Sequence, residues 1–487
     1  MLLLRRSTRG PAIYRRRDSS RCAARPALRL GSALLGAGLA VLAAAQGRAQ
    51  SALVAPPGEV MAIHDIAAAP SPERIHRDIE TLVGFGTRHT ASMTDSDTRG
   101  IGAARRWIIK EFENISAACG GCLEVITVGK TVSGERRIPD PVEVVSVLAI
   151  QRGALDPQRM VLMSGDIDSR VSDVMDATSD SPGANDNASG VAGVLEAARI
   201  LSRRQFDGSI VYAALAGEEQ GLIGGRIVAD HALEQGWQIK GVLNNDMISN
   251  IAGIDGVINN STVRVFSEGT RAVETEDEAR IRRFTGGEVD SPSRNLARYI
   301  AAMGDHYLVN LDIEMVYRLD RFRRGGHHRP FNAVGIPGVR IMETHEHYDR
   351  QHQDLRAENG REYGDVLEGV DAAYAAKLTA LNAITLAGMA GAPPFPVNVE
   401  AGGAVRASAT LKWEHGGDEK ARENLAGYRV WWRKTTAPQW THSRFVGQVT
   451  EWEFSNLVID NYFFGVSAVA RDGSETPVVF PGPAGAF

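Results

Sequence analysis

MVLMSGD at 160–166, GANDNASG at 183–190 and IVYAALAGEE at 210–219 read in order as a strand, a loop opening into a helix, and a second strand. Met160 to Met163 and Ile210 to Leu215 are short unbroken apolar runs, the pattern of parallel strands buried on both faces. Between them Val191, Val194, Leu195, Ala198 and Leu201 recur at helical spacing. A third run, Gly241 to Leu243, leads into Asn244, Asn245 and Asp246. The runs end in carboxylates: Asp166, the pair Glu218 and Glu219, and Asp246, with Asp186 just ahead of the helix. In open α/β sheets ligands bind beyond the carboxyl ends of the strands. The acids are therefore expected at one edge of a doubly wound, mostly parallel sheet with helices on both faces.

Outward from this unit the pattern continues. A helix is expected from about Arg74 through Ile75, Ile79, Leu82 and Val83, then a loop from Gly84 to Ser92 and a helix from Arg99 to Glu113. Helices and strands alternate to Met342, and a long helix is expected from about Tyr363 to Met389. Gly391 to Pro396, rich in glycine and proline, reads as a linker. Beyond it the period changes to two: Val405, Ala407, Ala409, Leu411 and Trp413, then Tyr428, Val430 and Trp432, then Tyr462, Phe464, Val466 and Ala468. These are expected strands of a β-sandwich. An early tryptophan strand, the run Gly427 to Trp431, Leu457, and the run Tyr462 to Val469 before Asp472 and Gly473 together resemble a fibronectin type III domain, over about Pro394 to Pro483. Such a fold carries no function by itself, so a structural appendage is expected.

At 487 residues the chain exceeds one average domain. The expected division is a leader at 1–50, an α/β domain at 60–390 and the β domain at 394–487. A net charge of −5 with both signs interspersed argues against nucleic acid or anionic lipid as partners. Arg5, Arg6, Arg15, Arg16, Arg17 and Arg29 precede an apolar stretch from about Leu34 to Ala45, a signal-peptide layout with small residues at Ala45 and Ala49 for cleavage. That stretch is shorter than the roughly 20 residues a spanning helix needs. The expectation is an exported protein, periplasmic or extracellular, with no integral membrane segment after signal removal. Cys22 falls in the leader, and Cys119 and Cys122, spaced Cys-Gly-Gly-Cys, suggest a tight local disulfide.

Hydrolysis of an amide near neutral pH needs a strong nucleophile, a stabilised oxyanion and a proton shuttle. Two divalent cations sharing a carboxylate supply the first two, and an unligated glutamate beside them supplies the third. Single acids at helix starts are usually solvated; four at strand ends in one domain, two of them adjacent, point to a site.

Gly183 to Gly190 and Ala216-Gly-Glu-Glu-Gln-Gly-Leu222 look like the motifs of metallopeptidase family twenty-eight, the co-catalytic zinc aminopeptidases and their relatives, over about Arg74 to Met389. The resemblance implies Asp186 as bridging ligand, Glu218 as general base, Glu219 as terminal ligand on one metal and Asp246 on the other. His352, in Gln351-His-Gln-Asp354, looks like the closing histidine, with His345 and His347 as alternatives in the same segment. His327 and His328 are candidate oxyanion or substrate contacts, and Asn185 and Asn187 are expected to shape the loop and cap the helix. The implied cofactors are two divalent ions, zinc foremost, and the implied substrates are peptides.

One departure stands out. Where the family begins its ligands with His-x-Asp, this chain reads Asp166-Ile-Asp168. If Asp166 binds, one site is Asp166, Asp186 and Asp246, all oxygen, suited to manganese or another hard ion, and the other is Asp186, Glu219 and His352, suited to zinc. If it does not, Asp166 caps a turn or pairs with Arg170, leaving a single zinc or none. Asp168 is expected to orient a ligand or the loop. Carboxypeptidases and glutaminyl cyclases share the fold, and an inactive receptor-like ectodomain is a further alternative. Substrate specificity is expected to come from loops within Asn250 to Phe331.

Overall fold

A computed structural model describes residues 53–487. The expected leader and Cys22 lie outside them. Eight strands form one sheet: β1 (Leu123–Val132), β2 (Val142–Gln151), β3 (Asp156–Asp166), β4 (Gly208–Leu215), β5 (Gln238–Asn245), β6 (Thr262–Ser267), β7 (Asp312–Val316) and β8 (Gly338–Glu343). Their order is β1-β2-β4-β3-β5-β8-β6-β7. The central block β4-β3-β5-β8 is parallel, while β1, β2 and β6 join antiparallel. Every residue of β4 is buried. Ile210, Tyr212 and Ala214 enter one apolar layer and Val211, Ala213 and Leu215 the other, which is why the run shows no polar alternation.

The helices are α1 (Met61–Ala67), α2 (Pro72–Val83), α3 (Gly100–Ala118), α4 (Ser189–Leu201), α5 (Ile223–Glu234), α6 (Glu276–Thr285), α7 (Pro292–Tyr307), α8 (His328–Ala333) and α9 (Ala372–Gly391). One face of the sheet carries α4 and α9, the other α5 and α8. The fold is thus α/β with helices on both faces. α2 starts at Pro72 behind a Ser71 cap, whose geometry suits the first turn of a helix. The long last helix begins at Ala372, later than the pattern suggested, because Asp371 caps it at the Tyr374 N–H. The preceding residues form a small hairpin, β9 (Arg356–Glu358) with β10 (Arg361–Tyr363). Cys119 and Cys122 are joined by a disulfide.

The C-terminal strands are β11 (Val397–Gly402), β12 (Ala409–Glu414), β13 (Leu425–Lys434), β14 (His442–Gly447), β15 (Glu451–Phe454) and β16 (Tyr462–Ala470). They form two three-stranded sheets, β11-β12-β15 and β14-β13-β16, which meet through Trp413, Tyr428, Phe454 and Phe464. β12 starts at Ala409 rather than Val405, whose side chain is fully exposed with φ 60°. Residues 53–487 form one compact unit, and the expected linker is buried at Ala392 and Phe395, the Phe395 ring lying tilted 4.9 Å from that of Phe487. Segment Asn250 to Phe331 supplies β6, β7, α6 and α7; the strands extend the sheet, and Asn295 and Arg298 of α7 bond Trp440 and Pro438 of the β-sandwich.

Candidate metal centre

Parallel register brings the acids together. Asp166 aligns with Leu215 at the ends of β3 and β4, Ser164 with Asn244, and Asn245 with Ile341, so residues just past these positions crowd one edge. There Asp186 Oδ2 and Glu219 Oε1 each lie 2.9 Å from His352 Nε2. Among the described residues these three are the one set of acids, histidines or cysteines whose ligand atoms all lie within 4.8 Å of one another. His345 instead meets Asp255 at 2.8 Å, outside the cluster.

Backbone clamps hold Glu219 and Asp186. Asp168 accepts the N–H groups of Glu218 at 3.1 Å and Glu219 at 2.9 Å, and the Thr90 hydroxyl at 3.1 Å. Asp365 accepts the Asp186 N–H at 2.6 Å and the Asn185 N–H at 2.9 Å. Asn185 donates to Glu343 at 2.9 Å and accepts the Ser249 N–H at 3.0 Å. Asn187 donates to the Asn245 carbonyl at 2.8 Å and accepts the Gly190 N–H at 3.0 Å. The two asparagines therefore tie the Asp186 loop to β5 and β8, and only Asn187 also serves the start of α4. His352 has φ 56°, a left-handed conformation uncommon outside glycine.

Charge balance follows from this packing. Burial alone lowers the His352 imidazole, but Glu219 and Asp186 overcome it and raise it to about 9. Arg170 Nη2 lies 2.7 Å from His352 Nδ1, yet its charge is met by Glu219 Oε2 at 2.8 Å, so the carboxylates prevail. Burial, then Glu219, Asp246 and Asp166, push the Glu218 carboxyl well above its usual range.

Asp166 and Asp246 behave differently from the expected all-oxygen site. Asp166 Oδ2 accepts from Asn187 at 2.7 Å and Oδ1 lies 2.5 Å from His327 Nδ1. Burial raises its carboxyl to about 8. Asp246 Oδ2 lies 2.8 Å from Arg340, which is fully buried, while its Oδ1 is buried without a partner. A cation placed beside Asp246 would find that free oxygen, but Asp166 has both oxygens engaged. The trio Asp166, Asp186 and Asp246 does not assemble among the described residues. Asp166 does not pair with Arg170 either, because Arg170 serves Glu219 and His352.

His327 and His328 are fully buried and stand behind the site rather than on its surface. His328 Nε2 bonds the Leu319 carbonyl at 2.8 Å, and His327 serves Asp166. Arg340, Asp365 and Glu343 went unread in the sequence. Arg340 had one signal, a charge inside the apolar run Val339 to Met342; Asp365 was hidden within a segment expected to be helix.

A cleft of about 540 Å³ opens over the cluster, with Asp186, Glu218, Glu219, Asp246 and His352 in its wall. One histidine, two carboxylates and an open side is a ligand set suited to a catalytic zinc.

Residues 146–372, which include Asp186, Glu218, Glu219, Asp246 and His352, match Peptidase family M28. A probable zinc metalloprotease of Leptosphaeria maculans is 41% identical over 430 residues, covering 88% of this chain and 98% of that protein. Another, from Pyricularia oryzae, is 41% identical over 88% of this chain and 87% of its own length. Among solved structures, LapB from Legionella pneumophila shares the fold with a TM-score of 0.50, over 69% of this chain and 78% of its own, at 18% identity.

Proposed function

Because the chain belongs to peptidase family M28, we propose that it is an exported zinc exopeptidase that removes N-terminal residues from peptides. The observation that carries this reading is the convergence of Asp186, Glu219 and His352 with Glu218 beside them at the floor of an open cleft. When bound there, a divalent cation acidifies water and polarises the scissile carbonyl. The raised proton affinity of Glu218 suits it to take a proton from water and deliver it to the leaving amine. Asp168 holds the Glu218 and Glu219 backbone so that base and ligand keep their separate directions. We assign one firm metal position, with no ligand role for Asp166. The Cys119–Cys122 disulfide supports an oxidising compartment, and among the described residues no helix is long and apolar enough to cross a membrane. Two facing three-stranded sheets support reading 394–487 as a fibronectin type III-like appendage.

Purified mature protein, stripped of metal and reloaded with zinc, is expected to release amino acids from peptides with free N-termini and not from N-blocked ones. Release from the other end would make it a carboxypeptidase, a second reading that the arginines around the cleft favour. Absence of any zinc-dependent release would overturn the hydrolase reading.

Zinc binding should also depend on pH. The metal and a proton compete for Nε2 of His352, so affinity is expected to fall about tenfold per pH unit below about 9. The sign is the same in stability. A histidine raised above its unfolded value stabilises the metal-free fold below that value, and this contribution is lost as pH rises through 9. The melting-temperature gap between zinc-loaded and metal-free protein should therefore widen from pH 6.5 to 9. Calorimetry should give one tight zinc per chain; two equally tight ions would restore Asp166 as a ligand.

A further inference from the structure

The cleft over the cluster has an unusual wall. Eight arginines line it, and Leu222 is its one apolar side chain. Three of the arginines have acidic partners: Arg170 with Glu219 at 2.8 Å, Arg226 with Glu135 at 3.2 Å and Arg321 with Glu346 at 2.7 Å. The other five, Arg136, Arg137, Arg323, Arg324 and Arg329, have no carboxylate within 4.0 Å among the described residues. They come from two loops that meet at the cleft. Arg136 and Arg137 sit in the β1–β2 turn, and Arg323, Arg324 and Arg329 in and just after the segment joining β7 to α8.

This concentration is local, because the whole chain carries a net charge of −5. Arg137 is half-buried, donates to the Glu219 carbonyl, and is held below its usual range by burial and by Arg170 and Arg136. Five cations crowded at one opening, in a protein with acid to spare elsewhere, leave their charge for something that enters. Guanidinium groups bind carboxylates in paired hydrogen bonds, and a cleft of one sign concentrates ligands of the other. The more apolar recess lined by Leu319, Pro330 and Val334 adjoins this cleft at Leu222, Arg226 and Arg329, so the wall over the cluster itself stays polar. The acids in the same wall are already engaged: Asp186 and Glu219 at His352, Asp246 at Arg340 and Glu135 at Arg226. Glu218 alone lacks a cation partner, and it lies at the floor.

Resting on the peptidase reading, we propose that the substrates are acidic peptides, with glutamate or aspartate side chains beside the scissile bond held by Arg136, Arg137, Arg323, Arg324 and Arg329.

The zinc-loaded enzyme is compared on peptide pairs that differ by glutamate or glutamine at the terminal and adjacent positions, each with a free or an amidated C-terminus. The glutamate peptides are expected to have kcat/KM about 10- to 100-fold higher, the range of one or two charge-assisted bonds. Added salt should shrink that ratio. In the exposed double variant Arg323→Gln/Arg324→Gln, and separately in Arg136→Gln/Arg137→Gln, the ratio should move toward one, with circular dichroism verifying the fold. Equal rates for both members of each pair, or faster release of leucine, would overturn the proposal. So would discrimination that follows the C-terminal carboxylate instead of the side chain, since the arginines would then read the chain end. If no peptide is cleaved, the peptidase reading fails by itself, and binding of the same pairs to Glu218→Gln protein decides this one. Tighter binding of the glutamate peptide upholds it, and equal binding sinks it.

Discussion

Glu218→Gln is expected to lower kcat by about 10²- to 10⁴-fold, the range spanned by positioned acid–base groups, while zinc content stays at one per chain. The separation of these readouts matters because Glu219, the next residue, is the proposed ligand and Glu218 is left free as the base. Glutamine keeps the shape of the side chain and the backbone bonds to Asp168, so the Glu219 direction is preserved. A second consequence follows from burial. Glu218 stands among Glu219, Asp246 and Asp166, which raise its carboxyl well above the usual range. Ionising it is therefore disfavoured in the metal-free fold, and the neutral variant should melt at the same temperature or a few degrees higher. Loss of activity with equal or greater stability is the pattern of a group kept for chemistry. Turnover within about tenfold of the parent would remove Glu218 from the base role.

The second large effect is structural. Asp290 is fully buried and accepts from Arg298 Nη1 at 2.8 Å and from Arg433 Nη2 at 2.7 Å. Arg298 lies on α7 and Arg433 on β13, so one carboxylate joins the α/β body to the β-sandwich. Asp290→Ala leaves two guanidinium groups out of water without an anion. Removing one member of a buried charge network costs about 3–5 kcal/mol. Calorimetry should show a clearly lower melting temperature and a single transition splitting in two as the sandwich loosens from α7. A shift below about 2 °C with one transition would mean that apolar packing, not this triad, holds the joint.

Much of the architecture was legible in the chain because its signals are local. Unbroken apolar runs mark β3, β4 and β5, helical spacing marks α4, and acids after the runs mark the edge where ligands gather. The insertion from Asn250 to Phe331 was not legible, since its edge strand β7 is half-exposed and the apolar run of its buried strand β6 is broken by Arg264. The onset of α9 was misplaced because Asp371 as cap and Asp365 as clamp are distinguished only by what they touch.

By itself the sequence determined the fold class, because strand period and residue type are written within a few positions, and it singled out Asp166, Asp186, Glu218, Glu219 and Asp246 as candidates. Only the tertiary structure decided how each acid is neutralised. His327 reaches Asp166 across 161 positions of chain, and Asn185 reaches Glu343 across 158; Arg340 reaches Asp246 from the neighbouring strand β8. A carboxylate out of water must be answered by a proton, a cation or a hydrogen bond, and which answer it receives depends on side chains that only folding brings within a few ångströms.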